Sequence, residues 1–226
     1  MLGADMEISI DKSTEVEYPV LPEIKNRRSK RAYAATPVRE ETIRSLFEAA
    51  RWAPSSMNEQ PWVYIYAVAD NHEVWNKIFD SLNDSNKIWA QHAPLLVVSL
   101  ARKTQLRNGV INGAAKYDVG AANALLSLQA THAGLNVHQM GGYNKQILIS
   151  NLNIPETHEP VVVMAIGYPG DPESLNDNLK VRELAPRERY TQDFSCTRNH
   201  SKTKRHQLKN TIAKPMACGM HVNFDK

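Results

Sequence analysis

Two short segments carry the side chains of this sequence that are best suited to chemistry. Residues 27–31 (Arg-Arg-Ser-Lys-Arg) place three guanidinium groups and a hydroxyl within five positions. Guanidinium groups are planar, bidentate donors that match phosphate oxygens, so this segment is a candidate phosphate site. Residues 53–62 (Ala-Pro-Ser-Ser-Met-Asn-Glu-Gln-Pro-Trp) hold hydroxyl and amide groups between prolines. A rigid loop of that kind suits the polar edge of a ring system, and the two segments together predict a nucleotide-like cofactor.

Each segment also has a simpler interpretation. A basic cluster taken alone is more often a solvated turn than a phosphate site. Ser55 and Ser56 could merely cap a turn. The order in which further motifs follow these two segments decides between the interpretations.

Hydrophobic patterns predict the elements that must position these groups. Buried strands are expected at residues 62–68, 94–101 and 161–167. Helices are expected at residues 40–52, 72–82 and 117–133, and a short helix from Ile24 leads into the arginines. The third of these helices is apolar nearly all round, which predicts burial at a domain centre or a subunit interface. Alternating strands and helices favour a three-layer arrangement.

Composition and charge divide the chain into three parts. Its 226 residues are 42% hydrophobic and 23% charged, enough for one domain with a core. Residues 195–226 contain seven Lys or Arg and one Asp, a charge of +6, so a net +3 leaves −3 for residues 1–194. We therefore expect an arm (1–22), a domain (23–194) and a basic, disordered tail (195–226). The charge of residues 1–194 gives no reason to expect nucleic-acid binding.

The sequence points to a soluble, cytoplasmic protein without a metal site. The two cysteines, Cys196 and Cys218, both lie in the tail, so a secreted disulfide scaffold is excluded. No apolar run approaches the roughly 20 residues that a membrane span needs. The acidic first residues do not resemble a signal peptide. The histidines and cysteines of the tail do not have the spacing of a zinc site.

Further motifs follow in a fixed order. They are residues 86–94 before a Val-rich strand, Gly-Ala-Ala-Asn-Ala-Leu-Leu from 120, Met-Gly-Gly-Tyr at 140–143 and Ala-Ile-Gly-Tyr-Pro at 165–169. In this order the chain resembles the FMN-dependent nitroreductase family over roughly residues 24–194. The resemblance implies an α+β fold, with a mostly antiparallel central sheet flanked by helices on both faces. It also implies an intertwined homodimer with two FMN sites at the interface.

The resemblance further implies which residues contact FMN. The phosphate side would consist of Arg27, Arg28, Ser29 and Arg31, completed by Arg187 and Arg189. The ring and ribityl side would take Pro54, Ser55, Ser56 and Asn58 from the other subunit. Asn86 would hydrogen-bond the pyrimidine edge, and the backbone of Gly141 and Gly142 would approach the reactive flavin nitrogen. Taken alone, Arg187 and Arg189 could equally be surface charges, and the two glycines only a turn.

The activity implied by the resemblance is hydride transfer from NADH or NADPH, through flavin N5, to a small acceptor such as a nitroaromatic or a quinone. The kinetics would be ping-pong, and no catalytic side chain is expected. Basic residues in the loop 102–112 are candidates for recognising the extra phosphate of NADPH. Two alternatives stay open: the same fold with flavin breakdown or reductive dehalogenation, and a flavin-binding protein that is not an enzyme. The polar tail departs from the family, which usually ends in a strand or a helix.

Overall fold

An antiparallel sheet forms the centre of the molecule. A computed structural model describes residues 14–195, and its strands are β1 (Trp62–Val68), β2 (Leu95–Arg102), β3 (Asn136–Met140) and β4 (His158–Gly167). Their order across the sheet is β1-β2-β4-β3, and every neighbouring pair is antiparallel. The two central strands, β2 and β4, therefore have partners on both sides.

Helices connect the strands and cover them. Within residues 14–195 they are α1 (Pro22–Asn26), α2 (Glu40–Arg51), α3 (His72–Phe79), α4 (Asp84–Ala90), α5 (Ala115–His132), α6 (Lys145–Leu152), α7 (Asp177–Leu184) and α8 (Gln192–Ser195). Apolar residues at helical spacing explain why α2 packs: Ile43, Leu46 and Ala50 are all buried.

The core lies on both faces of the sheet. Along β2, Leu95 and Val97 pack with α2 and α5, whereas Leu96 and Val98 pack with α3, α4 and α6. Successive side chains of a strand point to opposite faces, so a strand buried on both sides is apolar throughout. The result is a three-layer α/β/α sandwich.

This architecture confirms the α+β, three-layer prediction. The three predicted strands become β1, β2 and β4, with ends that differ by at most three residues, and the predicted helices become α2, α3 and α5. The short first helix begins at Pro22 and ends at Asn26, so the arginines follow it instead of belonging to it. No helix among residues 14–195 has the length and apolarity needed to cross a bilayer.

The chain termini are described only in part. Residues 14–21 of the predicted arm have no regular structure up to the start of α1. Both cysteines, and the predicted tail from residue 196 onward, lie outside the described residues. The division into arm, domain and tail stays a prediction.

Candidate functional site

The arginine segment, residues 27–31, directly follows α1, and its alternate side chains lie on opposite sides. Arg27 Nη1 donates to Ser29 Oγ at 3.3 Å, so these two residues share one side. Arg28 donates to the carbonyl of Ala185, and Lys30 Nζ donates to the carbonyl of Glu183 at 2.9 Å. This alternation is that of an extended chain. Arg28, predicted on the phosphate, therefore points towards the end of α7.

Positive charge accumulates on the side that carries Arg27 and Arg31. Burial and the neighbouring guanidinium groups of Arg189 and Arg28 lower the pKa of Arg27. Burial, followed by Arg182, lowers the pKa of Arg31. Both arginines stay charged at any ordinary pH; burial is the larger cause of each lowered pKa, and repulsion from the neighbouring guanidinium groups adds to it. An anion bound there would relieve this repulsion.

Arg187, predicted to complete the phosphate site, instead contacts backbone. Its guanidinium donates to the carbonyls of Lys25 at 2.8 Å and Ile24 at 3.3 Å, and to that of Arg27. These are carbonyls at the end of α1, which have no partner within the helix. An open cleft of ≈ 850 Å³ adjoins Arg27, Arg187 and Arg189. Arg187 thus lies beside Arg27, with at least part of its hydrogen-bonding capacity used to hold the end of α1.

The sequence did not single out three further groups that anchor this segment. The carboxylate of Glu183 accepts hydrogen bonds from the backbone amides of Arg31 and Ala32. His138 Nδ1 lies 3.1 Å from the carbonyl of Lys30 and therefore carries the proton that it donates there. Tyr33 donates its hydroxyl proton to the carbonyl of Ala165 at 2.9 Å. Glu183 lies in α7 and His138 in β3, and both elements are polar, so hydrophobic patterning did not reveal them.

His138 is held neutral. Burial, then the charge of Arg31, lowers its pKa to about 4, although hydrogen bonds to backbone carbonyls oppose this shift. Its ring packs on Trp89 with centroids 4.6 Å apart, and the Arg31 guanidinium lies 5.9 Å from the Trp89 ring. The imidazole therefore supports the segment without adding to its charge.

Asn86 and Gly142, both predicted to face the flavin ring, are in contact. Asn86 Nδ2 donates to the Gly142 carbonyl at 2.9 Å, and the amide of Asn83 donates to the same oxygen at 3.0 Å. A Cβ on Gly142 would lie 2.8 Å from Asn86 Nδ2, whereas one on Gly141 would meet nothing within 4 Å. A side chain at 142 would therefore displace the Asn86 amide from its hydrogen bond, whereas open space lies beside Gly141.

The proline-serine loop, residues 53–60, is strained and firmly anchored. Met57, Asn58 and Gln60 have φ values of 53°, 56° and 46°, in the left-handed region that non-glycine residues rarely adopt. The buried carboxylate of Asp118 accepts the amide of Ser56 at 3.1 Å, and Ser55 Oγ accepts the amide of Gln60 at 3.0 Å. Strain of this kind persists where surrounding contacts impose it, often at binding sites.

The two predicted halves of the site lie at opposite ends of the sheet. The proline-serine loop leads into Trp62, which pairs through Ala101 with Glu159 at the start of β4. Tyr33, beside the arginines, pairs with Pro169, just beyond the end of β4. At about 3.3 Å per residue, ten residues of extended chain separate these two levels by roughly 30 Å. One copy of the chain does not bring both halves together.

The loop after β2 is tied to the proline-serine loop through Glu59. This carboxylate, 7% exposed, accepts the amide of Leu106 at 2.7 Å and lies 3.4 Å from Arg107 Nε. Arg102 donates to the Glu59 carbonyl at 2.5 Å. Both arginines suggested for NADPH recognition therefore face an acid of their own chain. Within residues 14–195, no group of three or more His, Cys, Asp or Glu could hold a metal ion.

Comparison with known proteins decides the family. The model described as "Nitroreductase family" matches residues 24–117 and 75–168, which together span most of the sheet and its helices. The chain belongs to the nitroreductase family. Among solved structures, "the oxidoreductase containing FMN" superposes with a TM-score of 0.78 at 31% identity, covering 82% of this chain and 94% of that one. Family membership and this superposition agree with the antiparallel three-layer fold.

Two curated relatives of this family member are more distant. A "Putative NADH dehydrogenase/NAD(P)H nitroreductase" of Methanothermobacter thermautotrophicus is 29% identical over 162 residues, 70% of this chain and 81% of the relative. An "FMN reductase (NAD(P)H)" of Bacillus subtilis is 27% identical over 195 residues, 79% of this chain and 77% of the relative. Each match extends over most of both proteins.

Proposed function

We propose that this nitroreductase-family chain is an NAD(P)H-dependent flavin oxidoreductase with FMN as its cofactor. The observation that carries the proposal is a cluster of guanidinium groups: Arg27 lies near Arg189 at an open cleft, and Arg31 lies near Arg182. The names of an FMN reductase and an FMN-containing oxidoreductase among the similar proteins support it. A flavin mononucleotide is a flat ring with one terminal phosphate, and the residues present suit both of its ends.

At the phosphate end, Arg27, Ser29, Arg31 and Arg189 would bind the dianion, since charge-assisted hydrogen bonds to guanidinium are the strongest that side chains offer. Arg28 and Arg187 would contribute indirectly, because their hydrogen bonds to backbone carbonyls hold the arginine segment and α1 in place. At the ring end, Asn86 and the backbone at Gly141 and Gly142 would face the flavin. The open space beside Gly141 supports this assignment, because a backbone amide without a neighbouring side chain can approach a ring closely.

The active unit in this proposal is a homodimer. Pro54, Ser55, Ser56 and Asn58 would complete the FMN site of a second copy, because they lie a whole sheet length from the arginines of their own chain. Large apolar side chains are exposed beside this loop: Trp52 at 71%, Met57 at 66% and Tyr117 of α5 at 83%. Exposed apolar surface of this size favours an interface.

Bound FMN would supply hydride transfer at N5 between NADH or NADPH and a small acceptor such as a nitroaromatic or a quinone. The chain's part is to bind, to orient and to keep charge in place. The arginines would stabilise negative charge on the reduced flavin, and the anchored proline-serine loop would limit the space over the ring. No side chain needs to act as an acid or a base.

One spectroscopic experiment tests this function. The purified protein, supplied with FMN and then separated from free flavin, is expected to be yellow and to bleach anaerobically on addition of NADH or NADPH. Return of the absorbance with a quinone or a nitroaromatic would support the proposed turnover. A protein that takes up no FMN would refute the cofactor assignment. Binding without bleaching by either nucleotide would refute the oxidoreductase and leave a flavin-binding protein.

A further inference from the structure

Glu183, in the last turn of α7, is a buried acid whose carboxylate faces backbone. Its residue is 3% exposed. Oε1 accepts the amides of Arg31 at 3.1 Å and Ala32 at 3.2 Å, and Oε2 accepts that of Arg31 at 3.0 Å. A buried carboxylate is costly unless it is well hydrogen-bonded, so this geometry ties α7 firmly to the arginine segment.

The same turn holds the neighbouring residues. Lys30 donates to the carbonyl of Glu183, and Arg28 donates to that of Ala185. The segment is thereby held against the end of α7 at three residues, 28, 30 and 31. Arg27 and Ser29, which contact one another, are left on the opposite side. The end of α7 thus determines which side chains of the segment face the open side.

Charge gives Glu183 a second effect. Arg31 lies near Arg182, which lowers its pKa, and the Glu183 carboxylate acts in the opposite direction. The Glu183 carboxylate offsets part of the repulsion between the Arg31 and Arg182 guanidinium groups. The hydrogen bonds that it accepts come from backbone amides, so they do not occupy the guanidinium donors. An amide at this position would keep an acceptor for the backbone but would lose that compensation, and its NH₂ would face the Arg31 amide.

We propose that Glu183 is a positioning residue of the phosphate site: it fixes the backbone at Arg31 and Ala32 so that Arg27, Ser29 and Arg31 meet one phosphate together. This inference rests on the proposed function, since it takes the phosphate to be that of FMN. Glu183 itself does not touch the ligand. Its loss should therefore weaken recognition of the phosphate and spare recognition of the ring.

The test compares FMN with riboflavin, which has the same ring and no phosphate. Dissociation constants for both are measured by quenching of flavin fluorescence with the full chain and with Glu183→Ala and Glu183→Gln. Misplacing one charged contact corresponds to about 10- to 100-fold in affinity, so Glu183→Ala should weaken FMN by that factor. Riboflavin binding should change by less than about twofold, which lies within the ordinary scatter of surface substitutions. Glu183→Gln should fall between wild type and Glu183→Ala.

Controls separate positioning from general damage. Glu173→Gln removes an exposed acid that precedes α7 and pairs with Lys180 of α7, and it should leave the FMN to riboflavin ratio unchanged. Hydrogen exchange at the amides of Arg31 and Ala32 should accelerate in Glu183→Ala more than exchange in β2. If Glu183→Ala does not fold, the ratio measured with Glu183→Gln decides.

Two results would overturn the inference. Equal weakening of FMN and riboflavin would give Glu183 a purely structural role, and unchanged FMN affinity would give it none. Failure of the proposed function looks different, because wild-type protein would then bind neither flavin or would not prefer FMN to riboflavin.

Discussion

Asn123 lies at the centre of a buried polar network between α5 and the sheet, and its replacement by leucine should destabilise the protein. Its Oδ1 accepts the hydroxyl of Tyr64 at 3.0 Å, and its Nδ2 donates to Ser99 Oγ at 3.0 Å. Asn123 is 2% exposed and Ser99 is fully buried. Leucine has a similar volume but offers neither group a partner.

The magnitude follows from what is left unpaired. The buried Ser99 hydroxyl should cost about 2 kcal/mol, and the half-buried Tyr64 hydroxyl, which water can partly reach, about 1 kcal/mol. The apolar surface of leucine should return about 1 kcal/mol. The net loss of about 2 kcal/mol corresponds to a decrease in Tm of roughly 4–8 °C for a chain of this size.

Calorimetry and urea unfolding of Asn123→Leu measure this loss. The informative comparison is the triple variant Tyr64→Phe, Ser99→Ala, Asn123→Leu, in which every partner is apolar. Removing all partners together should be less damaging than removing the central one, because no buried polar group is then orphaned. A single variant as stable as wild type, or a triple variant less stable than the single, would refute the reasoning.

Three further predictions concern the site. Because the pKa of His138 is lowered to about 4, the unfolded chain takes up its proton near pH 6.5 before the folded chain does. The free energy of unfolding should therefore fall by up to about 3 kcal/mol between pH 6.5 and 4, and His138→Gln should remove most of that slope in urea titrations. Gly142→Ala, whose Cβ would meet Asn86, should cost about 1–3 kcal/mol without flavin, and Gly141→Ala should not; equal losses would contradict the geometry. Glu59→Ala should accelerate tryptic cleavage in loop 103–112, and an unchanged rate would show that Glu59 does not hold it.

Apolar patterning predicted three of the four strands, including the edge strand β1, but not the polar elements of the fold. β1, β2 and β4 are rich in β-branched and aromatic residues, so their sequence alone marks them. β3, Asn-Val-His-Gln-Met, has a single neighbouring strand and carries polar residues, and it was not predicted. The same holds for α7, a polar helix whose buried residue is the acid Glu183.

The sequence motifs named candidate site residues but did not predict the contacts that these residues make. Motif order pointed to Arg27, Asn86 and Gly142, and the structure brings Asn86 and Gly142 into contact. Sequence could not reveal that Arg28 and Arg187 donate to carbonyls, because such contacts depend on backbone from distant parts of the chain. The sequence also did not show that α5, expected to be almost wholly apolar, buries the polar residues Asp118 and Asn123.

The tie between Glu183 and Arg31 also sets an order of events during synthesis. These residues are 152 positions apart, so the arginines leave the ribosome long before the helix that fixes them. Contacts between distant parts of a chain form only after the intervening loop has closed. The sheet can assemble beforehand, since β4 ends at Gly167. All four strands are synthesised before α7, and if Glu183 acts as proposed, tight binding of a phosphate would have to wait for that helix.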